Sequence, residues 1–138
     1  TRIMAAHNIA YAAQASPHNW KDLMTKVKKA LATNGPAYMG VMSPCNRGWR
    51  TQTNDSILLS RLSVETCYWP LYEVDGGKWT INYDPKDKKK PVTEFLKPQG
   101  RFKHLFAPGN EHLLDQFQKI VDSEWESLQK MAGAFGTK

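Results

Sequence analysis

Hydrophobic positions along the first part of the chain change their spacing twice. The run Tyr11–Ala15 is short and apolar, whereas apolar residues between 20 and 31 recur every three or four positions. The run 37–42 is apolar on both faces, which is typical of a parallel strand buried inside a sheet. The pattern therefore predicts a strand, a helix and a second strand in a right-handed crossover unit. The helix is predicted to bury one stripe, consisting of Trp20, Leu23, Met24, Val27, Ala30 and Leu31.

Local signals predict where that helix begins and ends. Ser16 is expected to be the N-cap, with Pro17 at the first helical position, where its missing N–H costs nothing. The pair Asn34-Gly35 is expected to stop the helix in the left-handed backbone conformation. Because parallel strands end at the same edge of a sheet, Ser16 and Cys45 are expected to lie on one side of the fold.

A second helix and a hairpin are predicted for the middle of the chain. The segments 69–74 and 78–83 alternate around a Gly-Gly turn, which predicts a β-hairpin. The helix is predicted from Asn54 to about Cys67. Its inward residues are predicted to be Ile57, Leu58, Leu62 and Thr66.

The remaining residues are predicted to form a loop and a long helix. The segment 85–91 is read as a charged, exposed loop, and 92–96 as one helical turn. A long helix is predicted over 111–131, with a frayed end at 132–138. Its apolar side is predicted to contain Leu113, Leu114, Phe117, Ile120, Val121, Trp125 and Leu128.

Size and charge narrow the class of protein. With 138 residues, 41% of them hydrophobic, the chain is long enough for one domain with a core. It has no run of 18 apolar residues and no signal-peptide pattern, so a soluble, cytoplasmic α/β protein without a membrane partner is expected. The net charge of +6 raises the question of nucleic acid. The cations are scattered, so a solvated surface is favoured and no nucleic-acid partner is expected. A basic interaction or nucleic-acid-binding module stays the alternative. Because the first residue is Thr1, a processed product or a fragment is expected.

The candidate chemistry lies in the segment Ser43-Pro44-Cys45-Asn46-Arg47-Gly48-Trp49, just after the second strand. Ligands bind outside the carboxyl ends of strands in open α/β sheets. Cys45 could be a metal or cluster ligand, a catalytic thiol, half of a disulfide or a buried residue. A disulfide with Cys67 is disfavoured, because the intervening helix separates the two by roughly 18 Å. Cys67 is expected in the core. No catalytic residue is identified, and cofactor-binding residues stay unknown.

Several motifs together resemble a known family. They occur in a fixed order over residues 2–130, which makes a chance match improbable. The resemblance is to the C-terminal half of the β subunit of pyruvate:ferredoxin oxidoreductases (pyruvate synthases), in the 2-oxoacid:ferredoxin oxidoreductase family. The motifs are Met4-Ala5-Ala6-His7, Ala15-Ser16, Gly35-Pro36-Ala37-Tyr38, Ser43-Pro44-Cys45, Gly48-Trp49, Arg61-Leu62-Ser63-Val64-Glu65-Thr66, Trp69-Pro70-Leu71-Tyr72-Glu73 and Gly100-Arg101-Phe102-Lys103-His104-Leu105.

The resemblance implies a fold and a division of the chain. Residues 1–75 would be the C-terminal part of a thiamine-diphosphate-binding α/β domain, a parallel sheet with flanking helices. Residues 76–138 would add the hairpin, the basic loop and a long C-terminal helix.

The resemblance also implies an activity. Such enzymes use thiamine diphosphate and Mg²⁺ to convert pyruvate and coenzyme A to acetyl-CoA, and pass electrons through [4Fe–4S] clusters to ferredoxin. Cys45 matches the fourth cysteine ligand of the cluster nearest the thiamine. The other three cysteines and the Gly-Asp-Gly…Asn stretch that holds Mg²⁺ are missing from this chain. We therefore expect activity only together with the remaining β-subunit half and other subunits. Other substrates, such as 2-oxoisovalerate or oxalate, remain open.

Overall fold

The computed structural model describes residues 1–136 and confirms the α/β class. Within those residues the strands are β1 (Tyr11–Ala15), β2 (Ala37–Val41), β3 (Tyr72–Asp75) and β4 (Lys78–Ile81). The helices are α1 (Arg2–Ala6), α2 (Trp20–Ala32), α3 (Asn46–Trp49), α4 (Ser56–Glu65), α5 (Val92–Leu96) and α6 (Glu111–Phe135). Short 3-10 turns lie at Pro17–Asn19, Thr53–Asp55, Lys86–Lys88 and Gly100–Phe106.

The four strands form one mixed sheet in the order β2-β1-β3-β4. The crossover pair β1 and β2 is parallel, with Tyr11 opposite Ala37. The predicted hairpin is confirmed, and its first strand lies antiparallel to β1. The sheet is thus mixed, with one parallel pair and two antiparallel pairs.

The predicted burial of β2 on both faces is wrong for the described residues. β2 lies at an edge of the sheet, and its residues are exposed or half-buried; Val41 is 42% exposed. The central strand β1 is buried at all five positions. The difference arises because no strand of residues 1–136 lies on the far side of β2.

The predicted stripe of α2 is also not buried. Trp20, Met24 and Leu31 are 62%, 50% and 82% exposed, whereas the buried residue of α2 is Lys26. The Lys26 ammonium donates to the Gln14 carbonyl at 2.8 Å and is paired with a carboxylate on α2. Burial lowers the pKa of Lys26. Leu23, Val27 and Ala30 of the stripe are half-buried. The helix therefore turns a paired polar side chain toward β1, and it turns Trp20, Met24 and Leu31 outward.

The N-terminal end of α2 also differs from the prediction. The segment Pro17–Asn19 is a 3-10 turn, and α2 begins after it with Asn19 as N-cap, whose side chain accepts from the Asp22 N–H at 3.3 Å. Ser16 makes no cap hydrogen bond, because its hydroxyl donates to the Ser60 carbonyl at 3.1 Å. Ser16 therefore links β1 to α4.

The C-terminal end of α2 comes earlier than predicted. The helix ends at Ala32, and its C-cap residue, Thr33, is extended. Gly35 has a φ of +137°, so it needs glycine's backbone freedom in the connection to β2 and does not cap the helix.

The second predicted helix has a different inward side. Leu62 and Thr66 are buried as predicted, but Ile57 and Leu58 are 54% and 47% exposed. The buried residues of α4 itself are Leu59, Ser60, Leu62, Ser63 and Val64. Serine can be buried there because the Ser60 and Ser63 hydroxyls donate to carbonyls of the preceding helical turn.

The long C-terminal helix extends beyond its predicted end. α6 continues to Phe135, so the predicted fraying is wrong for 132–135, while residues 137–138 lie outside the described part of the chain. Val121, Trp125 and Leu128 are buried as predicted, but Ile120 is 63% exposed. No helix within residues 1–136 has the length and apolar character that a membrane crossing requires.

The charged segment 85–91 is only partly exposed. Lys89 is paired with Asp122 of α6, and Lys90 with Glu65 at 3.0 Å. These contacts hold the segment against α4 and α6.

One hydrophobic core joins the residues before and after the predicted boundary at 75. It is formed by one face of the sheet, α4, α5 and the middle of α6. Its buried members are Ala12, Leu59, Leu62, Cys67, Tyr72, Val74, Val92, Phe95, Leu96, Leu105, Val121, Trp125 and Leu128.

Candidate functional site

Cys45 lies beyond the carboxyl end of β2, at the start of the short helix α3. The side chain is exposed, and its Sγ accepts a hydrogen bond from the Gly48 N–H at 3.4 Å. The Cys45 carbonyl accepts from the Trp49 N–H at 2.8 Å. Cys45 is thus the N-cap of α3, which the sequence pattern did not predict because cysteine is not a preferred cap residue.

The parallel pairing places the ends of β1 and β2 at one edge of the sheet, as predicted. The Met42 N–H donates to the Ala15 carbonyl at 3.1 Å, so the pairing continues past β2. Ser16, which follows β1, is fully buried and hydrogen-bonded to α4. His18 Nδ1 lies 3.0 Å from the Ser16 hydroxyl, and burial, followed by the nearby Arg61 charge, lowers the pKa of His18. Cys45, by contrast, is open to solvent.

The second cysteine has a different environment. Cys67 is 3% exposed and belongs to the core, as predicted. Burial raises the pKa of Cys67 to about 12, so the thiol stays neutral near pH 7. Both cysteines are free thiols. Cys67 is thus closed off inside the core, whereas Cys45 is the cysteine whose sulfur a ligand can reach from solvent.

A distant segment supports the helix that begins at Cys45. The Gly100 N–H donates to the Arg50 carbonyl at 3.1 Å. The Arg101 guanidinium lies over the Trp49 ring, 4.0 Å from its centroid, and the Phe95 ring meets the same indole edge-on. Sequence reasoning grouped Gly100 and Arg101 in a family motif but gave them no role, because no local spacing relates them to Cys45.

Comparison with curated proteins gives long matches. The ketoisovalerate oxidoreductase subunit VorB of Pyrococcus furiosus is 46% identical over 135 residues, 97% of this chain and 42% of that protein. The pyruvate synthase subunit PorB of Thermotoga maritima is 46% identical over 127 residues, 91% of this chain and 39% of that protein. The chain is homologous to VorB and PorB subunits. PorB of Methanocaldococcus jannaschii is 42% identical over 128 residues, 93% and 41% of the two chains. No protein-family model matches.

These matches confirm the resemblance to the C-terminal half of the β subunit, which the motifs indicated. This homologue of VorB and PorB spans less than half the length of the relatives it matches. More than half of each relative therefore has no counterpart among these residues.

The cofactors that the family implies fit this chain only in part. A [4Fe–4S] cluster is held by four thiolates, and this VorB and PorB homologue offers one exposed cysteine. Mg²⁺ with a diphosphate needs oxygen ligands. No group of three or more His, Cys, Asp or Glu side chains within residues 1–136 is arranged to hold a metal ion. The described residues therefore fit a cluster as a single donor, and they offer no such metal group for Mg²⁺.

Proposed function

We propose that this chain is part of the β subunit of a 2-oxoacid:ferredoxin oxidoreductase of the cytoplasm. The observation that carries the proposal is the 46% identity to VorB and PorB over almost the whole chain. In the assembled enzyme the chain would work with the rest of the β subunit, the other subunits and ferredoxin. Thiamine diphosphate, Mg²⁺ and most cluster ligands would be held outside these residues. Residues 1–75 would complete the thiamine-diphosphate-binding domain, and 76–138 would extend it.

Within that enzyme, Cys45 is proposed as one ligand of a [4Fe–4S] cluster. Its support is an exposed sulfur beyond the end of a strand, with the Gly48 N–H directed at it. When bound, the cluster supplies one-electron transfer toward ferredoxin. The contribution of this chain is to hold the sulfur in place at the edge of the sheet.

The test replaces each cysteine in the assembled enzyme. Cys45→Ser should lower the iron content by one cluster, remove the corresponding electron paramagnetic resonance signal and abolish ferredoxin reduction. Cys67→Ala is the matched control and should keep both iron and signal, because Cys67 is a core residue. Full iron content in Cys45→Ser would remove Cys45 from the ligand set.

Pyruvate is the proposed substrate, on the basis of the Gly48-Trp49 and Trp69-Pro70-Leu71-Tyr72 motifs. The relatives named for ketoisovalerate and for pyruvate reach the same identity of 46%, so the comparison leaves the 2-oxoacid open. Steady-state reduction of ferredoxin should give a higher kcat/KM with pyruvate and coenzyme A than with 2-oxoisovalerate. The reverse order would reject pyruvate and keep the enzyme class.

The exposed apolar residues of α2 support the proposal that the rest of the β subunit packs against this helix. Trp20, Met24 and Leu31 are exposed and recur at helical spacing on one side of α2, and β2, on which α2 packs, is an edge strand. Exposed apolar area of this kind marks an interface. Leu31→Lys should leave the stability of this chain unchanged but reduce co-purification with the remaining β-subunit polypeptide. Lys28→Gln, an exposed change on the same helix, should not; equal recovery of both variants would contradict this packing.

The alternative of a basic binding module receives less support. Several cations that raise the net charge are paired with carboxylates, including Lys26, Lys29 and Lys90. Paired cations contribute less to phosphate binding. Duplex DNA should therefore show no steeply salt-dependent binding to this chain; such binding would revive the alternative.

A further inference from the structure

The turn at Gly100–Phe106 contacts the helix that carries Cys45, and this contact has a specific construction. Arg50, directly after α3, has a φ of +54°, a left-handed conformation that is costly for a residue with a side chain. The Gly100 N–H donates to the Arg50 carbonyl at 3.1 Å and so holds this residue in place. The hydrogen bond joins the end of α3 to a segment far away in the sequence.

The closeness of this approach requires glycine at position 100. A Cβ at Gly100 would lie 2.8 Å from Arg50 Cβ and 3.0 Å from the Arg50 carbonyl oxygen. Real Cβ atoms do not approach other atoms so closely, so any larger residue would push α3 away. The absence of a side chain at Gly100 is therefore a condition for the contact.

Arg101 supplies the second half of the contact. Its guanidinium covers the Trp49 ring at 4.0 Å from the centroid, and its Nε donates to the Gln99 side-chain carbonyl at 2.9 Å. Gln99 is itself buried, and its amide donates to the Phe95 carbonyl. The orientation of the guanidinium is thus fixed from the core, and with it the position of the indole.

Cys45 is the residue at the other end of this short helix. The same four residues that carry Trp49 also carry the Gly48 N–H that points at the Cys45 sulfur. Hydrogen bonds to ligand sulfurs set the reduction potentials of iron–sulfur clusters. A contact that fixes α3 therefore also fixes this hydrogen bond.

We propose that Gly100 and Arg101 are positioning residues for Cys45, which hold α3 so that the Gly48 N–H stays directed at the sulfur. The proposal rests on the assignment of Cys45 as a cluster ligand. The two residues do not touch the cluster; they act through Trp49 and Arg50. Together they adjust the reduction potential of the cluster and keep its ligand in a single conformation.

The experiment uses the assembled enzyme with Arg101→Ala, Arg101→Lys and Gly100→Ala. Amide hydrogen exchange of residues 46–51 should become on the order of tenfold faster in Arg101→Ala and Gly100→Ala, from the loss of one cation–π or hydrogen-bond contact. A redox titration followed by electron paramagnetic resonance should show a retained cluster with a shifted midpoint potential. Arg101→Lys should give an exchange rate and a midpoint potential between those of the wild type and Arg101→Ala, because an ammonium can lie over the ring but cannot replace the planar guanidinium.

Lys103→Ala is the matched control, since Lys103 is an exposed cation of the same turn. It should leave exchange and potential at their wild-type values. Wild-type exchange over 46–51 in Arg101→Ala and Gly100→Ala would overturn the proposal. Faster exchange with an unchanged midpoint potential in every variant would also overturn it, because the contact would then be structural only. A cluster retained in Cys45→Ser would instead refute the ligand assignment, which separates the two failures.

Discussion

Glu73 is the centre of a buried polar network on β3. Its side chain is 6% exposed and accepts hydrogen bonds from the Tyr11 hydroxyl at 2.6 Å, the Lys29 ammonium at 2.6 Å and the Asn82 amide at 3.3 Å. Burial alone would raise the pKa of Glu73, but the three donors outweigh it and the pKa is lowered. The folded state therefore prefers the charged carboxylate.

Glu73→Gln removes the charge and turns one acceptor into a donor that faces other donors. A hydrogen bond to a charged group contributes about 1.5–3 kcal/mol, and a buried donor left without its partner costs about 1–3 kcal/mol. Lys29 is 43% exposed, so water replaces part of its lost partner. We expect the free energy of unfolding at pH 7 to fall by about 2–3 kcal/mol. Glu126→Gln, an exposed change on α6, should leave the free energy of unfolding within about 0.5 kcal/mol of the wild-type value.

The dependence on pH gives a second check with a defined sign. Because the folded pKa of Glu73 lies below the ordinary value of 4.5, its contribution is present above pH 4.5 and is lost as the pH falls through the folded pKa. The stability difference between wild type and Glu73→Gln should therefore be constant near neutrality and shrink in acid. Urea unfolding followed by circular dichroism measures both. Equal stabilities at pH 7, or a difference that grows on acidification, would refute the reasoning.

Three further changes test the fold. Phe95→Ala should cost about 3–5 kcal/mol in urea unfolding, because the ring is fully buried and leaves a cavity. Gly35→Ala should cost about 1 kcal/mol or more, since its φ of +137° is unfavourable for alanine, whereas Gly133→Ala in α6 has open space and should not destabilise. Lys26→Ala should lower the free energy of unfolding by about 2–4 kcal/mol and with it the thermal midpoint, whereas the exposed change Lys28→Ala should alter neither. Equal midpoints of the two variants would contradict the buried ion pair.

The elements of the fold could be predicted from local signals, but the faces of the helices could not. The Gly-Gly turn predicts the hairpin because few residues adopt its backbone angles; Gly76 and Gly77 both have positive φ. The apolar stripe of α2 predicts an amphipathic helix and says nothing about what covers the stripe. Lys26 is buried because partners on β1 and α2 satisfy its ammonium, which hydrophobic periodicity does not register.

The position of the candidate site could be predicted from local sequence pattern, but the contacts that support it could not. A crossover unit places the end of its second strand at a known edge of the sheet, so Cys45 could be located from local pattern alone. The contact between Arg101 and Trp49 joins segments with no common periodicity. Arg50 in left-handed conformation is a tertiary effect as well, since the Gly100 hydrogen bond holds it there.

The core and the candidate site are mechanically connected through Phe95. Its ring meets Trp49 at 6.1 Å between centroids, and its carbonyl accepts from Gln99, which in turn accepts from Arg101. In the proposed role, Cys45 is the single sulfur that this chain gives to a shared cluster, so no second ligand of the chain fixes that sulfur. Rigidity must therefore come from packing, and α3 is too short to supply it alone. For this reason a cavity at Phe95 should loosen the helix at Cys45 as well as the core, whereas a cavity elsewhere in the core, at Leu128 for example, should not.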